Sequence, residues 1–392
     1  MKSNVRVECI DDTERFKQLK CDWNNLVEDS IHPQPFLLWE WIFTWWEVYA
    51  KSSYQLTILA VYDESRLVAI APFYVDNSSL LLKGRLRMLG EGEAFEDEVV
   101  SHYPDVIALN DYRELTVSAL VGYLLAQETK WHFGQFRFML GNSVLNSMQQ
   151  QLASHYDHYT VSSSQSYAIE LPTTPEEYVA SLSRSMRKQF RSRLNRMEKS
   201  GEIKILSAHE FADPHEALAI LERLHRSRWE SRGVSCIFDS IAFKTFHKTL
   251  LNRFLSQGII DIRVMYHNGE AVAAVHNFNF NKRCYSYQSG FKSGDDKRFS
   301  PMVVFDILEI QALVSAGYIQ YDYLSADSGG SYKEKFKCGT EPVYETLWLK
   351  RGWQSLTMQS YRRLRAKGGV YYRQLKAFDF GGSVKRAEKQ VG

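Results

Sequence analysis

Two stretches 204 residues apart carry the same local program, and that repetition limits the folds open to this chain. Val61-Tyr62-Asp63-Glu64-Ser65-Arg66-Leu67-Val68-Ala69 lies without a gap over Met265-Tyr266-His267-Asn268-Gly269-Glu270-Ala271-Val272-Ala273. Each is an apolar strand, a short polar turn and an apolar return strand, the pattern of a β-hairpin. The second turn holds Asn268-Gly269, a pair favoured where both central residues take positive φ. Hairpins resemble one another, and identities between these two are few. The order of the later elements also matches, however. Each half continues with a helix and then a strand of alternating aromatics, Phe136-Arg137-Phe138 and Tyr321-Asp322-Tyr323. An internal duplication of an α/β unit accounts for both similarities.

The spacing predicts a helix over 13–30 with Trp23, Leu26 and Val27 on one face, broken by His32-Pro33-Gln34-Pro35. A second, Trp-rich helix comes next, with Trp39, Trp41, Ile42, Trp45, Trp46 and Tyr49. Strands are expected at 56–62, 67–75 and 135–140 in the first half, with a helix near 112–127. In the second half helices are expected over 175–199, 213–231, 239–256 and 301–315. Strands there are expected at 260–266, 271–280, 284–290 and 318–324. Domain boundaries on this reading fall at 1–165, 166–350 and a tail, 351–392.

A chain of 392 residues with 44% apolar and 24% charged residues has the composition of a globular protein, which excludes disorder and fibrous repeats. The net charge of +2 argues against a dedicated nucleic-acid binder. Charge is unevenly placed: the tail from Arg351 holds ten Lys/Arg against two Asp/Glu, and the remainder is acidic. The tail reads either as a solvated terminus or as a dock for an anionic membrane surface or envelope polysaccharide machinery. Five dispersed cysteines suggest neither a disulfide framework nor a metal site. The N-terminus lacks the apolar core of a signal peptide, so a cytoplasmic protein is expected, or one peripheral at the inner face of the membrane.

Several segments are equipped for chemistry. Ser300-Pro301 is an N-cap followed by Pro at the first helical position, behind Lys297 and Arg298. Free N–H groups and the helix dipole there suit a pyrophosphate, although an ordinary capped helix beside a basic loop has the same sequence. Between Ser183 and Lys199 seven Lys/Arg, Arg187 and Arg191 among them, face a single acid, Glu198. Such a face is either solvated or touches an anionic substrate. His225, Arg228 and Trp229 share a helix face. Asp322, Asp327, Tyr332 and Lys333 cluster after a strand with the Gly-rich Ser328-Gly329-Gly330-Ser331. His276 lies on an apolar strand, where a core role competes with a catalytic one. No GxSxG, Walker A, Rossmann glycine or HExxH motif occurs, which removes lipases, NTPases, dehydrogenases and zinc proteases.

Taken as an ordered series, these segments resemble the CelD-like (cellulose-biosynthesis-associated) acetyltransferases of the GNAT superfamily, relatives of the FemABX peptidyltransferases. The resemblance rests on Arg187 and Arg191, Leu224-His225-Arg226-Ser227-Arg228-Trp229, Phe238, Phe246-His247, Gly269 to Ala274, Ser300-Pro301, and Asp322 to Lys333. In the first half it rests on the Trp-rich helix and Leu67-Val68-Ala69-Ile70-Ala71-Pro72. It implies an α/β fold of tandem GNAT-like (acyl-CoA N-acyltransferase) domains, with mixed, mostly antiparallel sheets flanked by helices. The implied activity is direct acyl transfer from acetyl-CoA or another acyl-CoA, without metal, to an amino sugar or polysaccharide-related acceptor. Lys297, Arg298, Ser300 and Met302 would hold the cofactor. Arg187, Arg191, His225, Arg228, Trp229 and Lys333 would hold the acceptor. Tyr332 is the expected acid, and Asp322 or His276 the base. Two other readings share the resemblance: an aminoacyltransferase using aminoacyl-tRNA, and a non-catalytic partner of an envelope polysaccharide machine.

Overall fold

In the computed structural model, residues 5–78, 84–127, 130–230, 235–292, 301–326 and 332–350 are described. Lys297, Arg298, Ser300, Asp327 and the basic tail from 351 lie outside them. The first half runs β1 (Val5–Ile10), α1 (Thr13–Gln18), α2 (Lys20–Glu28), α3 (Trp39–Tyr49), β2 (Tyr54–Asp63), β3 (Arg66–Asp76) and β4 (Arg85–Met88). It continues with β5 (Ile107–Ala108), α4 (Arg113–Ala126), β6 (Phe133–Leu140), α5 (Val144–Leu152) and β7 (Tyr156–Glu170). The second half runs α6 (Pro175–Ser181), α7 (Arg184–Ser200), β8 (Ile203–Ser207), α8 (Pro214–Glu230), α9 (Ile241–Phe254), β9 (Ile260–His267) and β10 (Glu270–Phe280). It ends with β11 (Arg283–Phe291), α10 (Pro301–Ser315), β12 (Gln320–Ala326) and β13 (Gly339–Lys350).

One mixed sheet runs through both halves in the order β1-β2-β3-β4-β6-β13-β7-β12-β11-β10-β9-β8, with β5 beside β3. The duplicated pattern is visible in it. The β2–β3 and β9–β10 hairpins are each followed by a strand, a crossover helix and a parallel partner, β4–α4–β6 and β11–α10–β12. Asn268 and Gly269 have φ of 52° and 75°, as their turn requires. The last strand of each half is exchanged: β7 pairs with β12 of the second half, and β13 with β6 of the first. The expected boundary at 165/166 falls inside β7, which belongs to both halves at once.

Two long helices expected from spacing are divided. The 13–30 stretch breaks at Leu19, which caps α1 and opens α2. The 175–199 stretch breaks at Leu182, after which the Ser183 side chain accepts from Met186 N and starts α7. Serine at that position offers the first-turn N–H groups an acceptor that a continuous helix would not.

The Trp-rich α3 joins the halves by packing on α9. The Trp41 ring lies 4.9 Å from Phe36, 5.0 Å from Phe246 and 5.3 Å from Phe278, all near edge-on. Its Nε1 donates to Ser101 Oγ at 2.8 Å, so a large apolar body is buried without leaving its donor unpaired. Arg253 of α9 donates to Thr44 Oγ1 and Glu47 on α3. Replacing Trp41 with Ala should lower unfolding free energy by about 3–5 kcal/mol. The measurement is a denaturant titration. A loss under about 1 kcal/mol would mean that the rings repack around the cavity.

Candidate functional site

The parallel strands β11 and β12 pair at Arg283–Gln320, Cys284–Tyr321 and Tyr285–Asp322, and then separate, although β11 runs on to Phe291 and β12 to Ala326. Beyond Tyr285 one edge of β11 has no strand beside it among the described residues. A crevice at the carboxyl ends of parallel strands is where open α/β sheets bind ligands, because backbone groups there are unpaired and helix starts converge on it. Asp322 is the last paired residue before the split and stands at the apex.

The strand is distorted at this point. Leu324 has φ of 61°, its N–H donates to Asp322 Oδ1 at 2.6 Å, and the register of β12 on β7 shifts between Asp322 and Ser325. A non-glycine residue at positive φ inside a strand is strained, and such strain gathers at functional sites. Lys333 Nζ donates to the carbonyl oxygens of Tyr323 (2.6 Å) and Leu324 (3.3 Å) just past the split. From the first half, Tyr103 donates its hydroxyl to Asp322 Oδ1 at 3.1 Å, and His102 Nδ1 meets Ser325 Oγ at 3.0 Å. Burial pushes the Asp322 carboxyl up to about 6, against the pull of the Leu324 N–H, Tyr103, Lys333 and Arg283.

The two sheet faces differ at the apex. On one face Asp322 lines a cavity of about 550 Å³ between the halves. Arg283, Tyr285, Gln34, Tyr103 and Lys337 share that lining. On the other face Tyr321 and Tyr323 pack with α10. There Tyr332 donates its hydroxyl to Asp306 Oδ2 at 2.7 Å. Burial raises Asp306 to about 7; burial and then the Asp306 charge raise Tyr332 well above its ordinary value. Tyr332, the expected acid, thus hydrogen-bonds Asp306 on this face and does not line the cavity.

The other expected site residues are dispersed. Met302 is buried in the first turn of α10, while Lys297, Arg298 and Ser300 lie outside the described residues. Arg228 stacks over Phe291, 5.0 Å from the ring, at the open end of the crevice and not in the cavity lining. Beside it a Cβ on Gly290 would come within 2.5 Å of the His225 backbone nitrogen, so glycine is what lets α8 cross β11 there. His225 is buried, accepts from Trp229 Nε1 at 2.9 Å through Nε2, and meets Cys236 Sγ through Nδ1. Burial, then Arg228 and Arg226, lower it to about 3. Arg187 donates to the carbonyls of Ala180 and Leu182 at the end of α6, and Arg191 is exposed on α7. His276 lies beneath α9, with its ring 5.3 Å from His247; burial lowers it to about 3, and it does not line the cavity. Of the two expected bases, Asp322 lines this cavity and His276 does not.

The equivalent split in the first half is closed. β4 and β6 pair at Arg85–Phe133 and Leu86–Gly134 before they separate. Into that gap Glu91 sends its carboxylate, which accepts from Met88 N on β4 and Arg137 N on β6 at 3.3 and 3.1 Å. Sequence reasoning finds neither this plug nor Tyr103, His102, Gln34 and Arg283. The doubled pattern is the available signal, since it makes residues after β4 comparable with those after β11. Among the described residues no group of three His, Cys, Asp or Glu could hold a metal ion, and no helix is long and apolar enough to cross a membrane.

Residues 184–335 match the family model described as an acetyltransferase (GNAT) domain. No curated protein matches the chain. Among solved structures, FemX covers 88% of this chain and 97% of its own at 10% identity, with a TM-score of 0.60. The C-terminal domain (DUF2156) of a putative lysylphosphatidylglycerol synthetase from Agrobacterium fabrum covers 89% and 97% at 10% identity and TM-score 0.50. A conserved protein of unknown function from Bacteroides thetaiotaomicron covers 88% and 100% at 11% identity and TM-score 0.51. At these identities the structural likeness carries the fold. Residues 184–335 thus match an acetyltransferase (GNAT) domain, and the chain shares the fold of FemX.

Proposed function

We propose that the protein is an acyl-CoA-dependent N-acyltransferase, with acetyl-CoA as donor and an amine of an amino sugar or polysaccharide-related molecule as acceptor. The observation that carries the reading is the open split between β11 and β12 with Asp322 at its apex, facing a cavity. The unpaired edge of β11 fits the extended arm of an acyl-CoA, which would lie along it as an added strand does. The bound donor supplies an activated thioester carbonyl. Backbone N–H groups on that edge polarise the carbonyl oxygen. Asp322, mostly ionised at neutral pH, takes the proton that the acceptor amine loses as its nitrogen bonds to the acyl carbon; the carbon–sulfur bond breaks, and CoA leaves as a thiolate that takes up a proton from water. Tyr103 and the Leu324 N–H hold the carboxylate in place. Lys297 and Arg298, with the N-terminus of α10, would take the diphosphate.

Asp322→Asn should lower kcat by about 10²–10⁴-fold while leaving acyl-CoA affinity near that of the wild type. Because the base must be deprotonated, wild-type kcat/KM should rise with pH through about 6, and this limb should vanish in the variant. Full activity in the variant would remove Asp322 from the mechanism. Reversing charge with Lys297→Glu and Arg298→Glu should weaken CoA binding by about tenfold or more, measured by calorimetry. Unchanged affinity would place the diphosphate elsewhere.

A further inference from the structure

The cavity at Asp322 is lined by charges of both signs: the carboxylates of Asp105, Glu170, Asp322 and, at the exposed rim, Glu341, and the cations Arg283 and Lys337. Asp105 is fully engaged: its carboxylate accepts from the N–H groups of Val106, Val144 and Leu145 and meets His32 Nδ1 at 3.2 Å. Glu170 accepts from Gln320 Nε2 at 2.6 Å. Gln34 is buried, and its amide nitrogen donates to the Tyr103 carbonyl, which fixes the amide orientation because a carbonyl can only accept. Its Oε1 is then left without a partner in the cavity wall. An unpaired buried acceptor is costly unless a ligand or water donates to it. Gln34 Oε1 is therefore an acceptor awaiting a donor, and Asp322, whose Oδ1 already accepts from Tyr103 and the Leu324 N–H, has its second carboxylate oxygen to offer.

Arg283 presents the opposite chemistry. It lies on the same sheet face as Asp322, diagonal to it across the β11–β12 pairing, since Arg283 pairs with Gln320 and Tyr285 with Asp322. Diagonal neighbours are about 7–8 Å apart. It hydrogen-bonds the neutral Tyr285, and among the described residues no carboxylate forms an ion pair with it. Lys337 adds a second cation at the exposed rim.

We infer that the acceptor bears an anionic group, carboxylate or phosphate, within a few bonds of its reactive amine. The amine donates to Asp322 and Gln34, and the anion is read by Arg283 with Lys337. This rests on the acyl-transfer reading and narrows its acceptor to acidic amines.

Two matched pairs of probes test it with the full-length protein: glycine against glycinamide, and D-glucosamine 6-phosphate against D-glucosamine. Thiol release from acetyl-CoA gives kcat/KM, and ligand-induced thermal shifts without acetyl-CoA give binding. The wild type should favour the anionic member of at least one pair by about tenfold. Arg283→Gln should bring that ratio close to one, and Arg283→Lys should restore part of it. Comparing variants within a pair cancels differences in amine basicity. The pair that responds separates carboxylate from phosphate. Equal treatment of both members in both pairs overturns the inference, as does a preference that survives in Arg283→Gln. Should no amine release thiol, the acyl-transfer reading fails, while the thermal shifts still decide whether the cavity selects acidic amines. Should Arg283→Gln not fold, the wild-type ratios and the Lys variant decide.

Discussion

Pairing of β7 with β13, from Gly339–Ala168 to Lys350–Tyr156, is the constraint on which the rest of the architecture depends. Each strand is the last of its own half, yet each completes the other's sheet through β12 and β6. Neither half can close its sheet without the other. The exchange also fixes the depth at which the first half approaches the β11–β12 split, which brings Tyr103 and His102 to Asp322 and Ser325. The aromatic contact of α3 with α9 then holds the halves together on one face.

The repeated strand–helix–strand pattern gives this protein two splits, and their fates differ for a chemical reason. In the first half the Glu91 carboxylate satisfies backbone N–H groups of both diverging strands, and the opening is filled by the protein itself. In the second half a lysine, Lys333, satisfies two carbonyls of β12, and among the described residues the edge of β11 past Tyr285 stays open. An anion in the gap consumes the donors that would polarise a carbonyl; a cation on the far strand spares them. The first half thus supplies part of the wall of the cavity that Asp322 of the second half lines.

Much of this is legible in the sequence where short-range physics decides. The Asn268-Gly269 turn, the apolar helix from Pro301 and the paired grammar of hairpin, helix and strand all come from local residue chemistry. The central strands β7 and β13 are not legible. Ser162 to Ser166 and Gly339 to Pro342 have neither apolar alternation nor strong β propensity, and they are strands because their neighbours on both sides require hydrogen-bond partners. The site is half legible. Asp322 stands out beside its aromatic neighbours, but spacing marks Arg187 and His225 as ligands when one caps α6 and the other is locked by Trp229. Those roles depend on tertiary contacts that spacing does not encode.

Perturbed carboxyls alone do not find the site either. Burial raises Glu91, Glu93, Asp306 and Glu309 to about 7 and Asp322 to about 6. Each contributes stability that is fully present below its unfolded value and is lost as pH rises through its folded value. His102, His225 and His276, lowered to about 3 by burial, act in the opposite sense: they disfavour the folded state as pH falls below about 6.5. The two sets oppose one another between about pH 4.5 and 6.5, so the protein can hold many buried titratable groups without a steep pH dependence of stability. What separates Asp322 from the rest is access. Glu91 and Glu93 are held by backbone N–H groups, Asp306 by Tyr332 and Glu309 by Arg263 and Asn277, all within the fold. Asp322 alone of the five lines the cavity, and a raised carboxyl becomes a base only where an acceptor can reach it.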